Sequence, residues 1–353
     1  MKSLSEYINL QENIKPYEIV VINHSAAGVR DTSREKPSTP IIDKMAKQLN
    51  IKVHHADFVG MRVEKVEGGH LIHSFPLDDE LEVMLPDGAS EIKYQKPIKI
   101  NQANSIIMPR GLGTLGFTGS RNWYDMMKDL EDEGYFVLNS IDCYDLCNSK
   151  YQSYLKFKQK DIASPRTEPI LHSETVEEAF KRLKTDFPVI LKSSTGTQTG
   201  VGVAVVESLR SLKALVQMIL LYNKYLPLII QEYIETDYDM RVLVSEGEVV
   251  AAMKREVMVD DVRSNVSMGA KASSIELTSL EKSEAIRIAE EFGGRLVGVD
   301  FIPSENRESI KPYCLEVNAN PGLKGIEAVS SSSPTKEILE KYKDRSLWPV
   351  LTP

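Results

Sequence analysis

Short apolar runs alternate with amphipathic stretches along this chain, and the rhythm changes about two fifths of the way through. Glu18–Ile22 is an apolar run of strand length, Thr39–Leu49 repeats its apolar positions at helical spacing, and Ile51–His54 returns to a strand. This β-α-β order predicts a small open parallel sheet. Residues 1–16 are polar and read as a short arm or cap, and Asn23–Gly28 reads as a loop. Residues 60–105 break the pattern. Gly68-Gly69 and Leu85-Pro86-Asp87-Gly88 are turn signals between short alternating runs and predict one or two hairpins. Ser105–Pro109 predicts a buried strand, Asn122–Glu133 an amphipathic helix and Tyr135–Leu138 another strand.

From Asn139 onward, helices and strands of a different organisation follow. Asp142–Lys160 predicts one or two helices crossing between domains. Glu174–Leu183 is helical, with Glu177 and Glu178 early and Lys181, Arg182 and Lys184 late, as the helix dipole favours. Phe187–Lys192 and Val201–Val206 predict strands around a Gly/Thr loop, and Ser208–Asn223 a helix. Leu228–Ile234, Arg241–Ser245 and Glu248–Arg255 predict strands, the last two joined tightly at Glu246-Gly247, while 256–276 looks irregular. Leu277–Phe292 has a Thr/Ser start and a Gly293-Gly294 stop. Two strands, Leu296–Ile302 and Ile310–Val317, precede a serine run, Ser330–Ser333, and a helix from Pro334. The expected division is an N-terminal domain over 1–138, linker helices with a central part over 139–235, and a C-terminal part over 236–353.

Composition narrows the class. A chain of 353 residues, 42% hydrophobic and 27% charged, has the make-up of a globular protein of two or three domains. It holds no apolar run of membrane-spanning length and no apolar signal core near its start, so no membrane association is expected. Cys143, Cys147 and Cys314 have no metal-site spacing and leave an odd thiol, which fits a reducing cytoplasm. A net charge of −8 argues against general nucleic-acid binding but not against a local basic pocket.

The chemistry concentrates in the second half. Glu316 and Asn318 are two apart, so they leave the same strand face, and Asp300 lies near the end of the neighbouring strand. Three such oxygen donors suit a hard cation such as Mg²⁺; a polar sheet edge with unrelated acids is the bland alternative. The loop after Lys192, with Gly196, Thr197 and Gly200, offers close backbone approach and N–H groups to a phosphate. It is not a Walker loop, because no Gly-Lys-Ser/Thr and no helix follow; a plain flexible hairpin explains it too. Lys192 ends an apolar run, as a phosphate contact or as a solvated strand end. Gln231-Glu232-Tyr233-Ile234 leaves a buried strand where an adenine edge and a ribose hydroxyl could be met. Asp239, Arg241, Arg255 and the triplet Arg263-Ser264-Asn265 converge if their strands form a meander. No serine has a nucleophile-elbow setting, and the six histidines are not spaced as metal ligands.

Six segments in this order, PVILKSSTGTQTGVGV (188–203), QEYI (231–234), DMRVLVSEGEVVAAMKR (239–255), RSN (263–265), GVD (298–300) and LEVNANPGLKGIE (315–327), resemble the ATP-grasp superfamily. Within it they are most similar to the RimK-like glutamate ligases. The likeness runs from about Asn139 to Ala328, and residues 1–138 match loosely. It implies an α/β (α+β) chain with the ATP-grasp fold: a small open parallel-sheet domain, then central and C-terminal parts gripping ATP between two sheets. It further implies that Lys150 and Lys192 bind phosphates, that Gln231, Glu232, Tyr233 and Asp239 border the nucleotide, and that Arg263, Ser264 and Asn265 line its phosphate side. Asp300, Glu316 and Asn318 would hold two Mg²⁺ or Mn²⁺ ions, and Arg241 and Arg255 would face the reacting carboxylate and acyl phosphate. The implied reaction joins an amino acid such as glutamate to a protein, peptide or small acceptor, in a chain free to form a homo-oligomer.

Two departures bear on the substrate. Val266-Ser267-Met268 stands where the family often continues with His-Arg-Gly, and Lys324 stands where it often has an acid. The other functions weighed are a free-standing peptide or cofactor ligase, a carboxylate or alcohol kinase, and a non-catalytic nucleotide-binding module.

Overall fold

The computed structural model describes residues 16–23, 39–58, 60–74, 96–110, 121–195, 203–257 and 271–349. Its packing divides the chain into two units, Met1–Gly111 with Trp123–Leu138 and Thr335–Pro353, and Leu112–Asn122 with Asn139–Pro334.

The first part of the chain forms β1 (Glu18–Asn23), α1 (Thr39–Gln48), β2 (Lys52–Asp57), β3 (Arg62–Val66), β4 (Gly69–His73), β5 (Ile98–Ile100), β6 (Ser105–Met108), α2 (Arg121–Asp132) and β7 (Phe136–Val137). The predicted parallel sheet is present, in the order β2-β1-β6-β7. Ile19 to Ile22 are fully buried, as the continuous apolar run of a parallel strand covered on both faces requires. The hairpin predicted at Gly68-Gly69 is β3–β4, extended by β5 into a separate antiparallel sheet. The turn predicted at Leu85–Gly88 and the arm before Pro16 lie outside the described residues.

From Asn139 the second unit forms two helices, α3 (Ile141–Asn148) and α4 (Lys150–Gln159). They separate at Ser149, whose extended backbone ends the first while its hydroxyl accepts from Gln152 N and caps the second. There follow β8 (Thr167–Ile170), α5 (Val176–Leu183), β9 (Val189–Ser193), β10 (Val203–Val206), α6 (Leu209–Tyr222) and β11 (Leu228–Glu232). Their antiparallel sheet runs β10-β9-β11-β8. β8 was not predicted, because Pro169 argues against a strand. Its place at the sheet edge, paired only with β11, tolerates the missing N–H. Strand alternation divides this sheet. Val189, Leu191, Leu228 and Ile230 pack with Val176, Ala179, Leu183, Leu212 and Val216 of α5 and α6. Lys192, Gln231 and Thr167 occupy the other face.

The chain continues through β12 (Tyr238–Ser245), β13 (Glu248–Glu256), β14 (Ala272–Ser274), α7 (Ser279–Glu291), β15 (Leu296–Ile302), β16 (Tyr313–Asn318), α8 (Lys324–Val329) and α9 (Pro334–Lys341). The second antiparallel sheet is ordered β14-β13-β12-β15-β16. Glu246 and Gly247 both take positive φ (50° and 74°), the geometry of the tight β12–β13 turn. β14 lies inside the stretch expected to be irregular, and the partner of β15 starts at Tyr313 rather than Ile310. α7 opens on a capping box between Thr278 and Glu281 and packs against β12, β13 and β15.

Candidate functional site

Strand pairing places the charged residues of the second sheet in one row. Asp239 opposes Arg255 across β12–β13, Arg241 opposes Asp300 across β12–β15, and Asp300 opposes Glu316 across β15–β16. Directly paired residues share a face, and so do residues two apart on one strand, so all five project to one side with Asn318. On the other side Met240, Val242, Val244, Val297, Val299 and Phe301 are buried. Beside the site β16 carries a bulge, with Leu315 inserted between the partners of Asp300 and Phe301. Gly298 permits close approach here: a Cβ on it would lie 3.1 Å from Pro321 Cβ and 3.7 Å from the Arg241 side chain.

The row is joined by charge-assisted bonds. Arg241 Nε and Nη2 donate to Asp300 Oδ1 and Oδ2 at 2.8 and 2.7 Å. Arg255 Nε and Nη2 donate to Asp239 Oδ1 and Oδ2 at 2.6 and 2.7 Å, and Nη2 also reaches Asp300 Oδ2 at 3.0 Å. Burial alone would raise the Asp300 carboxyl; the guanidiniums of Arg241 and Arg255 outweigh it and hold the group below the usual carboxylate range. Burial likewise pulls Arg255 down, and Asp300 and Asp239 more than reverse it. Asn318 Nδ2 donates to Glu316 Oε1 at 3.1 Å.

The first sheet contributes Lys192, whose Nζ donates to Gln231 Oε1 at 2.7 Å. Burial pushes its ammonium down to about 8, the Lys150 cation pushes the same way, and the Glu316 carboxylate opposes both. Two backbone ties bring Lys150 close: its N–H donates to Ser194 O at 2.8 Å, and Ser149 bridges to Thr195. The start of α4 therefore lies against the end of β9, α4 also touches β16, and the Glu316 charge reaches Lys192.

A model of the RimK-like ATP-grasp domain matches residues 147–341. The chain belongs to the RimK-like ATP-grasp family. It is 30% identical over 236 residues to the protein named "Probable alpha-L-glutamate ligase 2" of Pseudoalteromonas atlantica, covering 66% of this chain and 74% of that one. A Chryseobacterium gregarium RiPP-associated ATP-grasp ligase, solved with ADP and a leader and core peptide, aligns over 96% of this chain and 100% of its own. The TM-score is 0.64 at 15% identity. ATP-grasp ligase PsnB, solved with a phosphomimetic variant of its minimal precursor, Mg and ADP, aligns over 94% and 99% with a TM-score of 0.61 at 17% identity. At those identities the structural likeness speaks to the fold.

As a RimK-like ATP-grasp protein the chain is an ATP-dependent ligase, and its structure sorts the residues expected at the site. Asp239, Arg241, Asp300, Glu316 and Asn318 lie in the row on the second sheet, and Lys150, Lys192 and Gln231 in the group around the end of β9. Glu232 lies in neither. It follows Gln231 by one residue, pairs with Val189 on the helix-covered face, and is held there by Arg166, whose Nε and Nη2 donate to its Oε2 and Oε1 at 3.0 and 2.6 Å. That bond holds the Glu232 carboxyl below its ordinary value. Arg166 also donates to Lys184 O. Tyr233 is half-buried in the irregular segment after β11. Arg255, expected to face the reacting groups, lies on the same sheet face but is only 4% exposed and is engaged by Asp239 and Asp300. Gly196, Thr197, Gly200, Arg263, Ser264 and Asn265 lie outside the described residues.

The donor set fits a hard divalent cation. An ionised carboxylate has about four acceptor positions, and three N–H groups take part of the Asp300 capacity. Asn318 turns its NH₂ to Glu316, so its Oδ1 is the oxygen presented outward. Two carboxylates and an amide are few ligands, and among the described residues no group of three or more acidic, histidine or cysteine side chains is arranged to hold a metal ion. Magnesium sites shared with nucleotide phosphates use such sparse protein sets.

Sequence reasoning missed Arg166, Thr167 and Asn139. Asn139 Oδ1 accepts from Arg295 N and Leu296 N at 2.7 and 2.9 Å, and its Nδ2 donates to Leu296 O and Ala319 O at 2.6 and 2.7 Å. It clamps the start of β15 to the end of β16, beside the acidic pair. Only the change of character at Asn139 pointed toward it. Among the described residues no helix is long and apolar enough to cross a membrane.

Proposed function

We propose that the chain forms an amide bond between a carboxylate and an amine through an acyl phosphate, joining an amino acid such as glutamate to a peptide or protein C-terminus. The observation that carries this reading is the Arg255–Asp239–Arg241–Asp300–Glu316 row on one sheet face, with Lys150 and Glu316 near enough to Lys192 for their charges to act on it. It combines cations for phosphates with oxygen donors for a metal. The glutamate-ligase relative and the peptide-bound RiPP-associated ligase support the substrate classes.

In the first step the substrate carboxylate oxygen bonds to the γ-phosphorus while the β–γ bridging bond breaks and ADP leaves. The amine nitrogen then bonds to the acyl carbon, the C–O bond to phosphate breaks, and the nitrogen loses a proton. Lys150 and Lys192 hold phosphate charge at the end of β9, and Arg241 presents a guanidinium beside the reacting carboxylate. Arg255 and Arg241 fix the Asp300 carboxylate in place. Asp300, Glu316 and Asn318 would hold two Mg²⁺ or Mn²⁺ ions, which when bound neutralise the charge moving between the phosphates. No side-chain nucleophile is needed, since alignment and charge neutralisation supply the rate. Within this reading residues 139–235 are the linker and lid-like part and 236–353 the catalytic part.

The test is incubation with ATP, Mg²⁺, mixed amino acids and peptides bearing free C-termini, read by mass spectrometry and ADP release. ADP formed in step with an amino-acid mass increment supports the proposal. AMP and pyrophosphate, or ADP formed without consumption of an amine, would overturn it. Transfer of ¹⁸O from the labelled carboxylate to phosphate tests the acyl phosphate.

A further inference from the structure

Lys192 is oriented by two residues behind it. Its Nζ donates to Gln231 Oε1 at 2.7 Å; Gln231 Nε2 donates to Thr167 Oγ1 at 2.7 Å; Thr167 Oγ1 donates to Pro165 O at 3.1 Å. The direction of this chain is fixed from both ends. Lysine only donates, so it needs the amide oxygen. The threonine proton is committed to a carbonyl, so the hydroxyl needs the amide nitrogen. Gln231 therefore has one orientation that satisfies both neighbours. Gln231 is 7% exposed and Thr167 1%, which makes the reversed amide costly. Register permits the chain: Thr167 is directly opposite Gln231, and Lys192 is diagonal to it, opposite Ile229.

We propose that Thr167, acting through the Gln231 amide, is a positioning residue that aims the Lys192 ammonium at the nucleotide phosphates, and that the Gln231 side chain serves this lysine rather than reading adenine. The inference rests on Lys192 as a phosphate ligand. A lysine on a flexible stem otherwise samples many rotamers, and the like charge of Lys150 opposes its ammonium. A fixed acceptor at 2.7 Å counters both effects.

The experiment measures dissociation constants for ATP and for adenosine by competition against a fluorescent adenine nucleotide. Thr167→Val keeps the shape and removes the hydroxyl; Thr167→Ser restores it. Thr167→Val should weaken ATP about tenfold, the order expected when one buried hydrogen bond is lost. Adenosine affinity should be unchanged, and Thr167→Ser should bind ATP like the parent. In a Lys192→Met background, Thr167→Val should cause no additional loss, whereas a merely structural role would still lower affinity. Parallel loss of adenosine and ATP would overturn the inference, because the amide would then be contacting the base. If Lys192→Met weakens ATP but Thr167→Val does not, the positioning role fails alone. If Lys192→Met leaves ATP affinity intact, the phosphate role fails and the positioning role with it.

Discussion

Arg255→Met removes a charge from the middle of the buried row while keeping an unbranched side chain there. Three N–H···O bonds disappear, two to Asp239 and one to Asp300, at a residue 4% exposed. Taking one partner from a buried ion pair costs about 3–5 kcal/mol, because the remaining charge stays desolvated. A loss of about 4 kcal/mol at neutral pH is the expectation. The sign of its pH dependence follows from Asp300. Burial raises that carboxyl, and Arg241 and Arg255 together bring it below its ordinary value. In the parent it contributes stability that is complete above the unfolded-state value and is lost as pH falls through the folded one. Without Arg255, burial is opposed by Arg241 with less help, and the variant takes up a proton at higher pH. The gap between parent and variant should therefore be widest near neutrality and shrink on acidification. Both tryptophans, Trp123 and Trp348, belong to the other unit, so urea unfolding is better followed by far-ultraviolet circular dichroism than by tryptophan fluorescence. Arg255→Lys should recover part of the loss, since charge returns without the planar fork. A gap that does not change with pH would refute the electrostatic argument and leave lost packing as the cause.

Three other outcomes are expected. Asn139→Leu strips hydrogen bonds from the backbone of Arg295, Leu296 and Ala319 and should destabilise by about 3 kcal/mol or more, read from the urea midpoint. Lys192 loses its charge as pH rises through about 8, so ATP affinity should decline above that pH in the parent and not in Lys192→Met. Over the same range stability should rise toward the ordinary lysine value, because the unfolded chain binds more protons there. Glu232→Gln should leave ATP affinity within about twofold and cost at most about 1 kcal/mol, as the side chain of its partner Arg166 is 46% exposed and the pair is screened by solvent; a tenfold loss of ATP binding would return Glu232 to the nucleotide.

The elements legible in the sequence were those whose period is set by burial: the apolar run of β1, the amphipathic α5 and the strands flanking Glu246-Gly247. β8 was hidden because Pro169 is a poor strand residue except at an edge, and edge position is a property of topology. The site was legible as a set of residue types and less so as a geometry. Gln231 and Glu232 are neighbours in a motif and look equivalent there. Strand alternation sends Gln231 to Lys192 and Glu232 to Arg166 on the opposite face. Arg241 and Arg255 also looked interchangeable. Register gives Arg241 the position directly opposite Asp300 with more exposure, and sets Arg255 one strand further out, opposite Asp239, where it is buried.

The charge balance of the assembled face argues for the metal reading independently of motif. Arg241, Arg255, Lys150 and Lys192 stand against Asp239, Asp300 and Glu316, and most of the guanidinium charge is already paired. Among the described residues that leaves one net positive charge, too little for a triphosphate in a partly desolvated site. Glu316 makes matters worse in the absence of a cation, since it adds a carboxylate near the lysines. Its effect on nucleotide binding should therefore change sign with metal. Glu316→Gln should tighten ATP binding in chelator, where an anion near the phosphates is removed, and weaken it in Mg²⁺, where an oxygen ligand loses its charge. Titrations of ATP into parent and variant, with EDTA and then with Mg²⁺, measure both arms. Weakening in both, or no change in either, would mean that Glu316 does not share a space with the phosphates, and the proposed active site would have to be redrawn.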